Sequence, residues 1–168
     1  MLADAAVERY SRQILLPEVG GRGQARLGAS HVSVAGDGPV AAVARDLLAR
    51  AGVHVGPPAA PADVRVDVTG TPERDGRPLV IAAAHGVDAW PTPVCAACAP
   101  PAAPRPADDG PLAAPAALAH GALLAAEALM LLLGIRTAPR RQTIDLAAGV
   151  LGGTTLAPRP GCACTSAT

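Results

Sequence analysis

The sequence predicts an α/β domain organised around one βαβ unit in the first third of the chain. Alternating apolar residues at Val32 and Val34 indicate a first strand, which the glycine-rich turn of residues 36–39 interrupts. Gly52 ends the helix that follows, and residues 53–55 indicate a second short strand. Apolar residues of this helix recur at the spacing of one helical face: Val40, Val43, Leu47, Leu48 and Ala51. A glycine turn that opens a helix in this order is where nucleotide phosphates bind in many α/β proteins.

Length and composition limit the functions that the chain can have. Its 168 residues suit one domain, and the core must consist of Ala, Val and Leu because the chain has no Phe, one Tyr and one Trp. All 14 basic residues are Arg, which excludes lysine-based chemistry. The net charge is zero and no basic block occurs, which argues against nucleic acid as the main partner. No signal peptide is visible, so we expect a cytoplasmic protein.

The other segments continue the α/β order. An amphipathic helix is predicted from Asp4, its N-cap, to Leu16, with an apolar stripe of Val7, Tyr10, Ile14 and Leu15. Residues 20–23 are predicted as a loop, and Gln24 to Leu27 as a helical turn. The later predicted elements are a strand over Leu79–Ala84, a Pro-rich crossover loop over 91–111, a long helix ending at Gly134 and a strand over Thr143–Ala147.

The long apolar segment from Leu112 to Ile135 has nearly the length of a membrane span. It contains His120 and Glu127, which are seven residues apart and therefore lie on one helical face, where they could pair inside a core. Its first half is rich in Ala rather than in Leu or Ile. We therefore interpret the segment as a buried helix of a soluble domain.

Three parts of the chain resemble the ThiF/MoeB/HesA family, the bacterial relatives of ubiquitin-activating E1 enzymes. They are RYSRQILLPEVGGRGQARLGASHVSVAG, then ADVRVDVTG, then GPLAAPAALAHGALLAAEALMLLLG followed by DLAAGV and RPGCAC. The resemblance covers most of the chain in the family's order. It implies a Rossmann-like sheet with flanking helices, often dimeric. In the family, that fold uses ATP and Mg to adenylate the C-terminal glycine of a ubiquitin-like sulfur carrier.

The resemblance also implies a deletion through the ATP site. After Val55 the chain has only GPPAAPAD before the next strand, with prolines at 57, 58 and 61 as a stiff bridge. In the family, this interval holds an acidic residue that grips the ribose, an Asn-Leu-x-Arg-Gln stretch, and a lysine. None of these is present here. We therefore expect ATP and Mg to bind weakly or not at all.

Gly36, Gly38 and Ala41 match the dinucleotide pattern G-x-G-x-x-[GA] and form what we interpret as a vestigial nucleotide loop. Pro39, where the family has a further glycine, offers no N–H to a phosphate. Asp37 is expected to cap the helix internally and to repel a triphosphate. The pattern therefore favours a structural glycine turn over an ATP cradle.

Two further positions have structural interpretations. The resemblance places a catalytic-site aspartate after Thr69, where this chain has Gly70, so Asp67 is interpreted as a strand-end residue. His85 is a lone histidine and is expected to be structural.

The two cysteine pairs, Cys95 with Cys98 and Cys162 with Cys164, are the strongest chemical signal. Two thiolates at this spacing chelate one ion, and the second pair completes a tetrahedral site of four sulfurs. The alternatives are a redox C-x-x-C, which normally opens a helix, and four free cysteines. The pairs fall where the family places its zinc ligands, so we favour a structural zinc that pins the Pro-rich loop to the C-terminus.

Arg12 falls at the family's arginine that reaches into the ATP site of the neighbouring subunit. The alternative is a solvated arginine on an amphipathic helix, with Arg9 and Gln13 sharing its surface. Family position alone gives Arg12 the role of a catalytic residue in trans.

These observations predict one shortened E1-like domain over 1–168. Its parts are an N-terminal helix and arm (1–29), a shortened nucleotide-fold half (30–90), the Pro-rich crossover loop (91–111), and a core helix, strand and zinc-binding tail (112–168). We expect a pseudoenzyme that acts as a binding or regulatory subunit, as a homo- or heterodimer, for an E1-like partner or a ubiquitin-like sulfur carrier. The alternatives are an active adenylyltransferase with a reduced ATP site and a structural remnant that binds only zinc.

Overall fold

The protein is described from a computed structural model that covers residues 2–83, 86–99, 111–162 and 164. The helices of this part are α1 (Asp4–Arg9), α2 (Ser11–Ile14), α3 (Gly20–Ala29), α4 (Pro39–Arg50) and α5 (Ala113–Leu133). The strands are β1 (His31–Ala35), β2 (His54–Gly56), β3 (Val64–Asp67), β4 (Leu79–Ala83), β5 (Gly86–Trp90), β6 (Arg140–Asp145) and β7 (Val150–Thr155).

The seven strands form one sheet in the order β2-β1-β3-β4-β5-β6-β7. The first four strands of this order are parallel and the pairs from β4 to β7 are antiparallel. Strand β1 has β2 on one side and β3 on the other, so the chain order reverses at β1. The carboxyl end of β1 is therefore the topological switch point, where ligands bind in open α/β sheets. The predicted α/β class with a Rossmann-like sheet and flanking helices is confirmed.

One face of the sheet, which we call the helical face, is covered by α4 and α5. Its side chains come from alternate positions of four strands, β1, β3, β4 and β5: Val32, Val34, Val64, Val66, Val80, Val87 and Ala89. They pack against Leu48 of α4 and Leu124 of α5, which are both fully buried. The core is thus built from Ala, Val and Leu, as the composition predicts.

The opposite face, which we call the loop face, carries Ser33, Arg65, Asp67, Leu79, Ile81, Asp88 and Trp90. Leu79, Ile81 and Trp90 form a small apolar cluster with Val94 and Ala99 of the segment after β5. Beside this cluster, Arg65 lies against the sheet and donates to the Ser33 hydroxyl (3.3 Å) and to Pro58 O (2.5 Å). Among the described residues, loops rather than helices cover this face.

The N-terminal region differs from its prediction. The single helix from Asp4 to Leu16 is two short helices that meet at Tyr10, and the N-cap residue is Ala3 rather than Asp4. Residues 20–23, predicted as a loop, are the first turn of α3. Gly23 fits there because α3 packs closely: a Cβ at Gly23 would lie 3.0 Å from the Leu133 side chain. At Gly23, tertiary packing overrides the low helix propensity of glycine.

The antiparallel half of the sheet was only partly predicted. Strands β5 and β7 were missed, and β6 begins at Arg140 rather than at Thr143. The predicted strand that begins at Leu79 is confirmed as β4 over Leu79–Ala83, and Ala84 lies outside the described residues. The helix end at Gly134 is also confirmed, since Gly134 caps α5 with φ of 74°. His85 and most of the Pro-rich loop lie outside the described residues.

Helix α5 is long and apolar enough to cross a membrane by length and composition alone. In the structure it packs on the helical face and against α4, and Glu127 on it is only 1 % exposed. Arg136 forms two hydrogen bonds of 2.8 Å to the Glu127 carboxylate, and Gln142 a third of 3.3 Å. A buried, paired carboxylate in mid-helix is the arrangement of a core helix.

Candidate functional site

The first cysteine pair lies in a turn that follows the loop-face cluster. The backbone N–H groups of Cys98 and Ala99 donate to Cys95 O at 3.2 and 3.0 Å, which closes the turn. The second pair comes from the C-terminal segment, where the N–H of Cys162 donates to Arg159 O at 3.1 Å. The fold therefore brings together two cysteine pairs that are more than 60 residues apart in sequence.

All four sulfurs lie within 4.8 Å of one another. Cys95 and Cys162 are 3.3 Å apart, Cys98 and Cys164 are 3.4 Å apart, and Cys162 and Cys164 are 3.3 Å apart. A disulfide needs about 2.0 Å, so these are four thiols in close contact. Sulfurs about 2.3 Å from a central zinc ion at tetrahedral corners lie about 3.8 Å from each other. The observed distances are compatible with such an ion.

The thiols influence one another's protonation. A hydrogen bond from Cys162, with help from the backbone N–H of Cys98, lowers the pKa of Cys95 to about 6. The backbone N–H of Arg159, 3.2 Å from the Cys98 sulfur, lowers the pKa of Cys98, but burial and the three other sulfurs outweigh it and raise that pKa to about 12. Four thiols so close together cannot all ionise without a cation. A divalent ion removes this conflict because it binds thiolates.

The structure disfavours the redox alternative that the sequence left open. Redox-active C-x-x-C motifs normally sit at a helix N-terminus, which stabilises the thiolate. Here residues 95–98 form a turn, and no helix begins in the described residues that follow, up to Ala99. The donor set of four clustered thiols can hold a metal ion, and zinc fits it.

The glycine turn lies at the switch point of the sheet. Gly36 has φ of 95°, and a Cβ there would lie 2.5 Å from the Val68 side chain, so the β1 and β3 ends approach each other closely. Gly38 is the N-cap of α4, Pro39 is the first residue of that helix, and buried Ala41 lies in its first turn. The turn leads from the end of β1 into α4, and Pro39 removes one of the N–H groups that would face a phosphate there.

The predicted cap by Asp37 is wrong. No side chain of the described residues caps α4, and the Asp37 side chain is fully exposed, 3.8 Å from Arg45. Sequence reasoning missed Arg45, whose guanidinium donates to Val34 O at 3.1 Å and to Gly36 O at 2.5 Å. Arg45 follows Pro39 by six residues, too far to be recognised as part of the turn without knowing that its side chain folds back.

Asp67 closes the loop after β3. Its carboxylate accepts hydrogen bonds of 3.0 Å from the N–H groups of Thr69 and Gly70 and from the Thr69 hydroxyl. Asp67 is 3 % exposed, so its acceptors are used inside the protein. This agrees with its interpretation as a strand-end residue.

Arg12 lies on α2 and is exposed, as is Arg9, whose guanidinium lies 5.6 Å from the Tyr10 ring centroid. The predicted apolar stripe is divided. Tyr10 and Ile14 are half-buried, whereas Val7 and Leu15 are 45 % and 81 % exposed. The N-terminal helices thus present both arginines and apolar side chains to solvent.

Taken together, the described residues form a Rossmann-like α/β domain with a four-cysteine candidate metal centre on its loop face and a glycine turn at its switch point.

No family model matches the sequence. Two curated proteins match parts of it. Adenylyltransferase and sulfurtransferase uba4 of Pyricularia oryzae is 48 % identical over 52 residues, which are 31 % of this chain and 11 % of that protein. Adenylyltransferase and sulfurtransferase MOCS3 of Mus musculus is 56 % identical over 45 residues, 27 % of this chain and 10 % of that protein.

Solved structures match the fold over most of the chain. E. coli MccB bound to MccA-N7isoASN superposes with a TM-score of 0.67 at 15 % identity, over 92 % of this chain and 74 % of that one. PaaA superposes with a TM-score of 0.63 at 12 % identity, over 92 % and 75 %. These structures show the shared fold, and the curated matches support a relationship to the ThiF/MoeB family of E1-like proteins. The matches span about a tenth of the length of the curated relatives.

Proposed function

We propose that the chain is an E1-like binding or regulatory subunit, held together by zinc, that does not itself adenylate a substrate. The contrast between its two sites carries this proposal. The candidate metal centre has four sulfurs within 4.8 Å of one another, whereas α4 begins with Pro39 after the glycine turn. The chain contains no lysine to hold a triphosphate, and Gly70 replaces the expected aspartate. Each electrostatic group aimed at a transferring phosphate stabilises the transition state by about 3 kcal/mol. The loss of several such groups together therefore abolishes the reaction.

The partner in this proposal is an E1-like subunit or a ubiquitin-like sulfur carrier, in a cytoplasmic homo- or heterodimer. The exposed apolar side chains of Val7, Leu15 and Leu16 support the existence of an interface. The competing function is an active adenylyltransferase, and the observation in its favour is the local identity to two proteins named adenylyltransferase and sulfurtransferase. A structural remnant that binds only zinc is the third hypothesis.

We call the proposed zinc ion with its ligands Cys95, Cys98, Cys162 and Cys164 the zinc clamp. Its presence is tested by metal analysis of protein purified without added metal. We expect one zinc per chain, and we expect Cys162→Ser to lose it while the far-UV circular dichroism of the domain stays unchanged. The reason is that the helical face, which holds most of the core, lies across the sheet from the cysteines. Four freely titratable thiols and no stoichiometric zinc in the wild type would refute the clamp.

The absence of adenylation is tested by titration calorimetry with Mg-ATP and by ATP–pyrophosphate exchange in the presence of candidate carriers. We expect neither binding in the micromolar range nor exchange. Exchange above the background of a heat-treated sample would establish the active enzyme instead.

The role of Arg12 in trans is a separate hypothesis. An arginine suits it because its planar fork binds phosphate oxygens bidentately and stays charged. We expect Arg12→Ala to keep its zinc and to lower pyrophosphate exchange by an E1-like partner, since an arginine supplied in trans is worth roughly 10³-fold or more in phosphoryl chemistry. Arg22→Ala, which changes an exposed arginine of α3, is the matched control. If the partner's pyrophosphate exchange rate is the same with wild type and with Arg12→Ala, the role of Arg12 in trans is wrong and only the binding function remains.

A further inference from the structure

Arg74 lies in the loop between β3 and β4 and reaches across to the first cysteine turn. Its guanidinium donates to Pro72 O at 3.0 Å and also to Ala99 O. Ala99 is the residue after Cys98, is 2 % exposed, and donates its own N–H to Cys95 O. One side chain therefore ties a loop of the sheet to the backbone that shapes the Cys95–Cys98 turn.

The same arginine lines a cavity of about 280 Å³ beside the cysteines. Its wall includes Arg74, Arg77, Cys95 and Cys164. Two arginines in a cavity suggest an anionic ligand, but the charges already present argue otherwise. Arg77 pairs with Asp75 at 3.0 Å, and four thiolates around a divalent ion leave a net negative charge on this wall. With an ion bound, the charge of Arg74 would therefore be balanced by the metal centre that shares this wall.

Arg77 differs from Arg74 in what it touches. It donates to Ala62 O and to Asp75, neither of which belongs to the segment that carries the cysteines. Both arginines are close enough to line the cavity, and only Arg74 bonds to the cysteine turn. The two residues thus separate the effect of a nearby charge from the effect of a hydrogen bond to the turn.

We propose that Arg74 is a positioning residue for the four-cysteine metal centre: it fixes the Cys95–Cys98 turn through Ala99 O and so keeps both thiolates aimed at the ion. This inference rests on the proposed zinc clamp. Groups that orient metal ligands from outside the coordination sphere change metal affinity by about 10- to 100-fold when they are removed. Arg74 is such a group, because it contacts the backbone of the cysteine turn and would not itself bind the ion.

The test is the rate at which zinc leaves the full-length protein to a chromogenic chelator in excess. Arg74→Gln keeps much of the side-chain length and removes the guanidinium fork, and it should release zinc about tenfold faster than the wild type or more. Arg77→Gln should stay within about twofold of the wild type, because it removes a charge from the same cavity without touching the cysteine turn. Arg74→Lys, which keeps the charge without the fork, should release zinc faster than the wild type.

Cobalt substitution adds a readout that a general loss of stability would not change. The ligand-field bands of Co²⁺ report tetrahedral thiolate geometry, and we expect them to be altered in Arg74→Gln and unaltered in Arg77→Gln at equal thermal stability. Wild-type release rates in Arg74→Gln, or equal acceleration in both glutamine variants, would overturn the inference while leaving the zinc clamp intact. A wild-type protein without zinc would overturn both.

Discussion

The two faces of the sheet are stabilised in different ways. The helical face is covered by α4 and α5 and contains valines, leucines and alanines at close packing. The loop face has a small apolar cluster around Trp90, the hydrogen bonds and ion pairs of Arg65, and the four clustered cysteines. The strands are shared, so the difference comes from what packs on each side.

This difference explains how the chain tolerates a short middle section. A parallel sheet normally has helices on both faces. In the described part of this chain, the segment between β2 and β3 is a short loop, and Arg65 lies on the sheet beneath it, with a hydrogen bond to Pro58 O. Polar contacts and four cysteines thus occupy the face that a helix would cover. The helical face should therefore dominate global stability.

The largest expected effect comes from a cavity-creating substitution in the core on the helical face. Leu124 of α5 is fully buried, and Leu124→Ala should lower the free energy of unfolding by about 2–5 kcal/mol, since it removes buried methyl groups and leaves a cavity. Leu118→Ala changes the same residue type on the same helix, but Leu118 is 59 % exposed. It should cost less than about 0.5 kcal/mol. Urea denaturation of both variants measures the difference, and similar losses would contradict the dominance of this face.

The next effect comes from overpacking the same face. Gly121 of α5 touches α4 so closely that a Cβ there would lie 2.6 Å from Val43 Cβ and 2.8 Å from the backbone oxygen of Val40. Gly121→Ala should cost about 1–3 kcal/mol through forced separation of the helices. A gain of up to about 1 kcal/mol in helix propensity offsets part of this. Net stabilisation in urea denaturation would show that α4 and α5 can move apart without loss.

The helical face was largely predictable from the sequence. Its strands show alternating valines, and α4 and α5 show apolar residues at helical spacing, so local patterns and tertiary packing agree. The clustering of the four cysteines was predictable as well, because each of the two pairs has the spacing of metal ligands. Gly134 ends α5 in the left-handed conformation that glycine favours, so the helix end also followed from one residue.

The loop face was less predictable because its contacts join distant residues. Strand β5, GVDAW, carries Asp88, which Arg141 of β6 binds through two hydrogen bonds of 2.6 Å. A charged residue in a short segment argues against a buried strand until its partner is known. Strand β7 was missed because it contains two glycines, which are depleted in strands. Arg45 and Arg74 act through backbone carbonyls, which leave no pattern in the sequence.

The smallest expected effect concerns Arg65 on the loop face. Its side chain is 12 % exposed, and its guanidinium lies 2.8 Å from Asp75 and 3.4 Å from Glu73. Arg65→Met retains an apolar stem against the sheet and loses these bonds, so it should cost about 1 kcal/mol. Arg50→Met is the matched control. It removes an exposed pair with Asp46 and should cost less than about 0.5 kcal/mol.

The effect of Arg65 should also depend on pH in a defined direction. The hydrogen bond from Arg65 holds the pKa of Asp75 below its usual value of 3.8. Because this carboxyl has a lower pKa in the folded state than in the unfolded chain, its contribution to stability is complete above about pH 4 and is lost as the pH falls through the folded-state pKa. Urea denaturation at pH 7 and at pH 3 should therefore show a smaller difference between wild type and Arg65→Met at the lower pH. A difference that is the same at both values would mean that Arg65 stabilises the loop face through its stem and its bond to Pro58 O rather than through Asp75.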